Sequence, residues 1–193
     1  MSVEKPNILF LVLDSFRSDK CFGKEKTSIT PNIDHLISNG AYFTQTISSG
    51  FSTLLASASI LTGYYPFKAL SGDRKNLKLF SNTKNYVESL KEFGYNTHAA
   101  IPITVDFWGF ADHFDKKYVP DFKKLILSNG LGEKIIREFD SSEFNEPWFL
   151  YIHALDLHEL GSLPDEFNDV KFGMNQYERM VSCVDVWIGK ILE

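Results

Sequence analysis

The residues placed to do chemistry fall in three stretches. In Gly50-Phe-Ser-Thr-Leu-Leu-Ala-Ser-Ala-Ser-Ile-Leu-Thr-Gly-Tyr-Tyr-Pro66, Ser52 and Thr53 precede helix formers and small residues, and the run closes at Gly63 and Pro66. Either hydroxyl is a natural helix N-cap, and Gly63 is free to take the positive φ of a helix end. A hydroxyl there faces unpaired backbone N–H groups and the positive end of the helix dipole, a setting that favours a bound anion. A nucleophile attacking a phosphate or sulfate ester would want that position. The same pattern also describes a capped, buried helix whose small residues let another element pack closely. The second stretch, Asn7 to Asp14, is an apolar run ending in a carboxylate, followed by polar Ser15-Phe-Arg-Ser-Asp19. The third, Glu146 to His158, is another apolar run that ends in His153, Asp156 and His158. Those residue types suit a metal or an anion, at a spacing that is not diagnostic by itself.

The elements that must carry these groups alternate between strand and helix. Continuous apolar runs such as Ile8 to Leu13 suit a central parallel strand covered on both faces. Ligands in open α/β sheets bind beyond the carboxyl ends of strands, where Asp14 stands. Thr30 to Gly40 reads as a short helix started by Thr30 and Pro31, with His35 among its surface or packing residues. Ala41 to Ile47 alternates like a short strand, and Asp73 to Leu79 reads as a charged loop. Asn85 to Phe93 is helical in period, Tyr95 to Ile103 reads as a strand broken by Pro102, and Phe107 to Phe114 as a packed aromatic loop. His113 and Asp115 there have only a weak claim on a site. Lys123 to Phe139 reads as one or two helices interrupted by Gly130 and Gly132, and Met174 to Leu192 as a long amphipathic helix. The class is α/β with a mostly parallel central sheet flanked by helices.

At 193 residues the chain suits one domain, 1–193, with a sizeable core. The net charge of −5 is spread along it, and no basic block marks a nucleic-acid surface. Cys21 and Cys183 are far apart and read as free thiols of a reducing compartment. The apolar run Ile8 to Leu13 is too short for a signal-peptide core or a membrane span, so a soluble, cytoplasmic protein is expected.

Taken together, the stretches resemble the N-terminal part of the sulfatase family, within the alkaline-phosphatase superfamily. Pro6-Asn-Ile-Leu-Phe-Leu-Val-Leu-Asp-Ser-Phe-Arg-Ser-Asp19 is similar to the family's opening strand, and Thr30 to Phe43 to its "TPN-hD-L---G--F" segment. Ser57-Ala-Ser-Ile-Leu-Thr-Gly-Tyr-Tyr-Pro66 resembles "R-A-S-L-L-T-G-R-Y-P", and Glu92 to Thr97 the "GY-T" turn. Pro147 to His158 resembles "PFFLYL--DPH", and Tyr177 to Leu192 "Y---V--vD--IG-LL". Any one piece is weak; the ordered set is specific.

The resemblance implies a hydrolase of small-molecule sulfate or phosphate esters. The nucleophile position falls on Thr53, with a covalent intermediate formed there. It implies Asp14, with Ser15 beside it, as ligand to a divalent cation (Ca, Mn, Zn or Mg), and His158 and Ser57 as substrate contacts. Ser15 stands where sulfatases usually carry a second Asp, as in an Asp-Ser or Asp-Thr subgroup. Leu55 and Ser57 replace the Pro and Arg of "C-x-P-x-R", and no Cys stands at position 53, so formylglycine is not expected. The family's "SDHG" segment is absent, so the chain reads as lacking its C-terminal portion. The rival expectation is a truncated, catalytically silent domain binding an anion or a protein partner. Assembly into a homo-oligomer is left open.

Overall fold

The structure, a computed structural model, describes residues 4–73, 77–80, 83–120, 126–140, 145–158 and 163–193. In chain order the helices and strands are β1 (Ile8–Leu13), α1 (Ser18–Cys21), α2 (Pro31–Asn39), α3 (Thr53–Thr62), α4 (Pro66–Ala69), β2 (Leu70–Ser71) and β3 (Lys78–Leu79). There follow α5 (Tyr86–Glu92), β4 (Asn96–Ala100), α6 (Ile103–Phe107), β5 (Lys116–Tyr118), α7 (Leu131–Asp140), β6 (Trp148–Ala154) and α8 (Gln176–Leu192). The four-stranded sheet has the order β1-β6-β4-β5, and β2 and β3 form a small antiparallel ladder. β4 runs parallel to both of its neighbours, with Asn96 opposite Trp148, Ala100 opposite Ile152, and His98 opposite Lys116. This is the α/β, mostly parallel architecture read from the alternation of strand and helix.

Two compact units make up the chain. The first comprises Met1–Val12, Thr46–Asp121 and Phe144–His153. Its core gathers Ala58 and Leu61 of α3, Val87 of α5, Ala99 of β4, and Phe149 and Tyr151 of β6, with Phe110 and Phe114 from the aromatic turn after α6. Local chemistry sets the ends of its elements. Asn85 and Glu88 form a reciprocal capping box on α5, at 3.2 and 3.1 Å. Gly63 ends α3 with φ 71°, the left-handed cap for which glycine has no steric penalty. Pro102 ends the β4 stretch and caps α6, a short helix that begins at Ile103, where the strand reading ended.

Three expectations change here. β1 lies at one end of the strand order and is half-buried, with Phe10 37% exposed, rather than central and fully covered. An unbroken apolar run reports that both faces touch protein; it says nothing about how many strands flank it. Residues 41–47 form no strand and are exposed, Ile47 to 92%. Alternation alone does not make a strand where no ladder partner is present, because backbone groups need pairing. Lys78 and Leu79, read as loop, pair with β2.

The second unit comprises Leu13–Gln45, Phe122–Glu143 and Ala154–Glu193, with α8 at its centre. Met180, Val181, Cys183, Val184 and Ile188 of α8 are buried, as are Leu131 and Ile135 of α7 and Ile33 of α2. Gly130 takes φ 97° ahead of α7, whereas Gly132 lies inside that helix, where a Cβ would overlap the Trp187 ring. Asp185, fully buried, accepts the Ile33 and Asn32 N–H groups at 2.8 and 3.2 Å and the Asn32 side-chain amide at 3.0 Å. These are orphan donors of the first turn of α2, so a carboxylate from α8 does the work of an N-cap. One turn further on, a Cβ at Gly189 would lie 2.7 Å from the Asn32 amide, so glycine is what lets α2 sit this close. This explains in physical terms why Thr30-Pro-Asn32 and Asp185 with Gly189 occur together. We expect Asp185→Ala to destabilise the protein by about 2–3 kcal/mol, the cost of orphaning buried donors of a charged acceptor. Urea unfolding gives the size, and faster hydrogen exchange at the Asn32 and Ile33 amides locates the loss.

Glu178 is the second buried acid of α8. It accepts the Thr27 hydroxyl at 2.5 Å and the Met174 N–H at 2.9 Å, and pairs with Lys20 at 2.9 Å. The Thr27 hydrogen bond, then Lys20, hold its carboxyl below the usual range against the opposing effect of burial. A carboxyl with a lowered folded pKa stabilises the protein above its unfolded pKa, and that contribution disappears as pH falls through the folded one. Glu178→Gln is therefore expected to lower the urea midpoint at neutral pH and to flatten its fall on the acid side. Parallel curves for both proteins down the acid limb would contradict this.

Candidate functional site

The strand-end group belongs to the second unit. The Asp14 N–H donates to the Ala154 carbonyl at 3.0 Å, which aligns the end of β1 with the end of β6. Asp14 is half-buried, and its Oδ1 accepts the Ser15 hydroxyl at 3.3 Å. Ser15 is exposed, in the left-handed region at φ 62°. The Tyr177 phenol donates to the Ser15 carbonyl at 2.8 Å and accepts the Arg17 N–H at 2.9 Å. Burial pushes that phenol above its ordinary pKa, so it keeps the proton it donates. Sequence reasoning counted Tyr177 only as part of the apolar face of α8. Its polar tip was the available signal, since a tyrosine on an apolar face needs a partner for its hydroxyl.

His153 lies within β6, and Asp156 and His158 follow it. His153, 2% exposed, packs edge-on against Tyr151 in the first unit. Asp156, 1% exposed, accepts the Leu127 and Ser128 N–H groups at 2.9 and 3.3 Å and the Ser128 hydroxyl at 3.3 Å. It caps the 3-10 turn Leu127–Asn129 that leads into α7. His158 is exposed, its N–H turned back onto the Leu155 carbonyl at 3.1 Å. Cys183 is buried, and burial, with Asp156 next in effect, pushes its thiol up to about 12, which makes it inert at neutral pH. His113 and Asp115 are likewise structural: His113 faces Glu88 at 3.3 Å, and Asp115 holds Thr97 and Lys91.

The helix-end group belongs to the first unit. Ser52, not Thr53, occupies the N-cap of α3, and its side chain takes no bond from the first turn. Thr53 is the first helical residue and is half-buried. Ser57, one turn on, is 2% exposed. An apolar cavity of about 400 Å³ lies beside this turn, with Phe51, Leu55, Pro66, Phe67 and Leu70 in its wall. Leu55 is two residues beyond Thr53, on the opposite flank of a helix that turns 100° per residue, and Thr53 is not among the residues that line the cavity.

Asp14 and Ser15 bring oxygen ligands together, but among the described residues no group of three or more His, Cys, Asp or Glu side chains converges. Ca²⁺ and Mg²⁺ need several oxygen ligands, and Zn²⁺ at least three protein ligands. These residues alone do not fit a complete divalent site.

Comparison with known proteins begins with the architecture. The phosphonate monoester hydrolase of Agrobacterium radiobacter superposes with a TM-score of 0.77 at 16% identity, over 97% of this chain and 58% of that one. That likeness shows a shared α/β fold. The chain belongs to the sulfatase family, whose model, described as Sulfatase, matches residues 6–193. Arylsulfatase H of Canis lupus familiaris is 30% identical over 105 residues, 48% of this chain and 19% of that protein. Human steryl-sulfatase is 30% identical over 108 residues, 50% of this chain and 18% of that protein. The chain thus spans about a fifth of the curated relatives it matches and somewhat over half of the solved neighbour. No helix among the described residues is long and apolar enough to cross a membrane.

Asp156 offers a direct check on the division between structural and site residues. Asp156→Ala should cost about 2–3 kcal/mol of stability, because it orphans buried N–H groups. It should leave the affinity for sulfate or phosphate unchanged, as measured by calorimetry on protein shown to be folded. Loss of anion affinity at constant stability would return Asp156 to the site.

Proposed function

We propose that this chain carries the nucleophile-bearing part of a hydrolase acting on sulfate or phosphate esters, with Thr53 as nucleophile. The observation that carries the reading is the place of Thr53 as first residue of α3, beyond an N-cap whose side chain does not bond the turn. The N–H groups and dipole of that end favour the anionic oxygens of a bound ester. Thr53 Oγ1 forms a bond to sulfur or phosphorus as the bond to the alcohol oxygen breaks, and the threonine proton leaves with the alcohol. Water then cleaves the covalent ester and releases sulfate or phosphate. Family resemblance, and not their placement, assigns His158 and Ser57 as substrate contacts. The names of the relatives support a sulfate ester, and that of the phosphonate hydrolase a phosphorus one.

Family resemblance assigns Asp14 and Ser15 to a divalent cation of the Ca, Mn, Zn or Mg kind. The described residues do not complete its ligand set, and no step here is routed through it. That shortfall is also what favours a second reading, a silent domain that binds an anion or a protein partner without turnover.

The test is hydrolysis of aryl sulfate, aryl phosphate, bis-aryl phosphate and aryl phosphonate, with and without added Mn²⁺, Zn²⁺, Mg²⁺ or Ca²⁺. Thr53→Ala should lower kcat/KM by at least about a thousandfold, and Thr53→Ser should retain most of it. Mass spectrometry of quenched wild type should show one covalent sulfate or phosphate on the α3 peptide. Unchanged turnover in Thr53→Ala would remove the nucleophile assignment. No turnover of any ester by folded wild type would favour the silent domain.

A further inference from the structure

The turn after β1 is held in a conformation that serine does not favour. Among the described residues, Ser15 is the non-glycine residue at positive φ, and backbone in that region persists only where its surroundings over-determine it. One phenol supplies that determination, because the two bonds of Tyr177 reach the Ser15 carbonyl on one side and the Arg17 N–H on the other. The phenol comes from a firm support. Asn175 caps α8 by accepting the Glu178 N–H at 3.0 Å, and Glu178, the next residue after Tyr177, is tied to Thr27 and Lys20. The hydrogen bond from the Ser15 hydroxyl to Asp14 is made within this turn.

We propose that Tyr177 is a positioning residue for the Asp14–Ser15 pair. Its phenol keeps Ser15 left-handed, and that conformation sets the carboxylate and the hydroxyl side by side. The proposal rests on the reading of Asp14 and Ser15 as site residues. It assigns Tyr177 a role that packing alone would not require, because phenylalanine would fill the same volume.

A double-mutant cycle in the full chain tests it, using Tyr177→Phe, Ser15→Gly and the double variant. Glycine reaches positive φ without steric penalty, so a turn that no longer needs holding should no longer need the phenol. In the serine background, Tyr177→Phe should speed hydrogen exchange at the Arg17 amide about tenfold and shift the NMR resonance of the Asp14 carboxyl carbon. It should also lower kcat for the aryl ester about tenfold, with KM within about twofold. In the glycine background, which also lacks the Ser15 hydroxyl, the same substitution should move the Asp14 resonance little. Equal effects in both backgrounds, or a lowered melting temperature with kcat and the Asp14 resonance unmoved, would overturn the proposal. If wild type turns over no ester, the function proposed above fails, while the Asp14 resonance and the Arg17 amide still decide the role of Tyr177.

Discussion

The second unit depends on the capture of backbone N–H groups by buried carboxylates. A buried charge is tolerated only when it is paired or hydrogen-bonded, and a helix start leaves donors that need acceptors. Asp185 meets both demands at α2, and Asp156 does the same for the turn before α7. Burial raises the pKa of each, and the donated N–H bonds act against that rise. Each carboxylate therefore fixes an element remote in sequence, and the helices are located by a few strong bonds as well as by apolar contact. Glu178 extends the pattern by tying the start of α8 to Lys20 and Thr27.

This pattern sorts the acids by role. Asp156, Glu178 and Asp185 are 3% exposed or less, and each has backbone N–H partners. Asp14 is half-buried at the end of β1, and its Oδ1 accepts the Ser15 hydroxyl. A carboxylate locked onto backbone donors cannot turn to a ligand without unfolding its neighbours. Asp14 follows β1 directly, at the carboxyl end of a strand, where open α/β sheets place ligands.

Much of the fold was legible in the sequence because its signals are local. Gly63, Pro102, Asn85 and the apolar periods of α2, α5 and α8 act within a turn or two of their own position, and the structure places element ends where they stand. What was illegible depends on partners remote in the chain. The edge position of β1, the absence of a ladder for residues 41–47, and the inward commitment of Asp156 each depend on which backbone groups meet after folding. The same holds for the candidate site. Asp14 at a strand end and Thr53 at a helix start were each readable from local signals. The phenol that secures Ser15 comes from about 160 residues away, and only its polar tip hinted at a partner.

A shift of one residue at α3 bears on how its hydroxyls should be read. Ser52 and Thr53 were equivalent N-cap candidates by sequence, and a cap side chain ordinarily folds back onto the second or third N–H of the helix. The cap falls on Ser52, whose extended backbone, φ −133° and ψ 158°, suits that position, yet its side chain makes no such bond. Ser52 thus caps α3 through its backbone conformation and not through its hydroxyl. Thr53 begins the helix proper, where its backbone angles are set by the helix and its hydroxyl is not required for capping. A β-branched residue at this point also restricts χ1, which limits the directions its hydroxyl can take. The two hydroxyl residues that the sequence offered as equivalent caps therefore hold different places, Ser52 at the extended N-cap and Thr53 as the first residue of the helix.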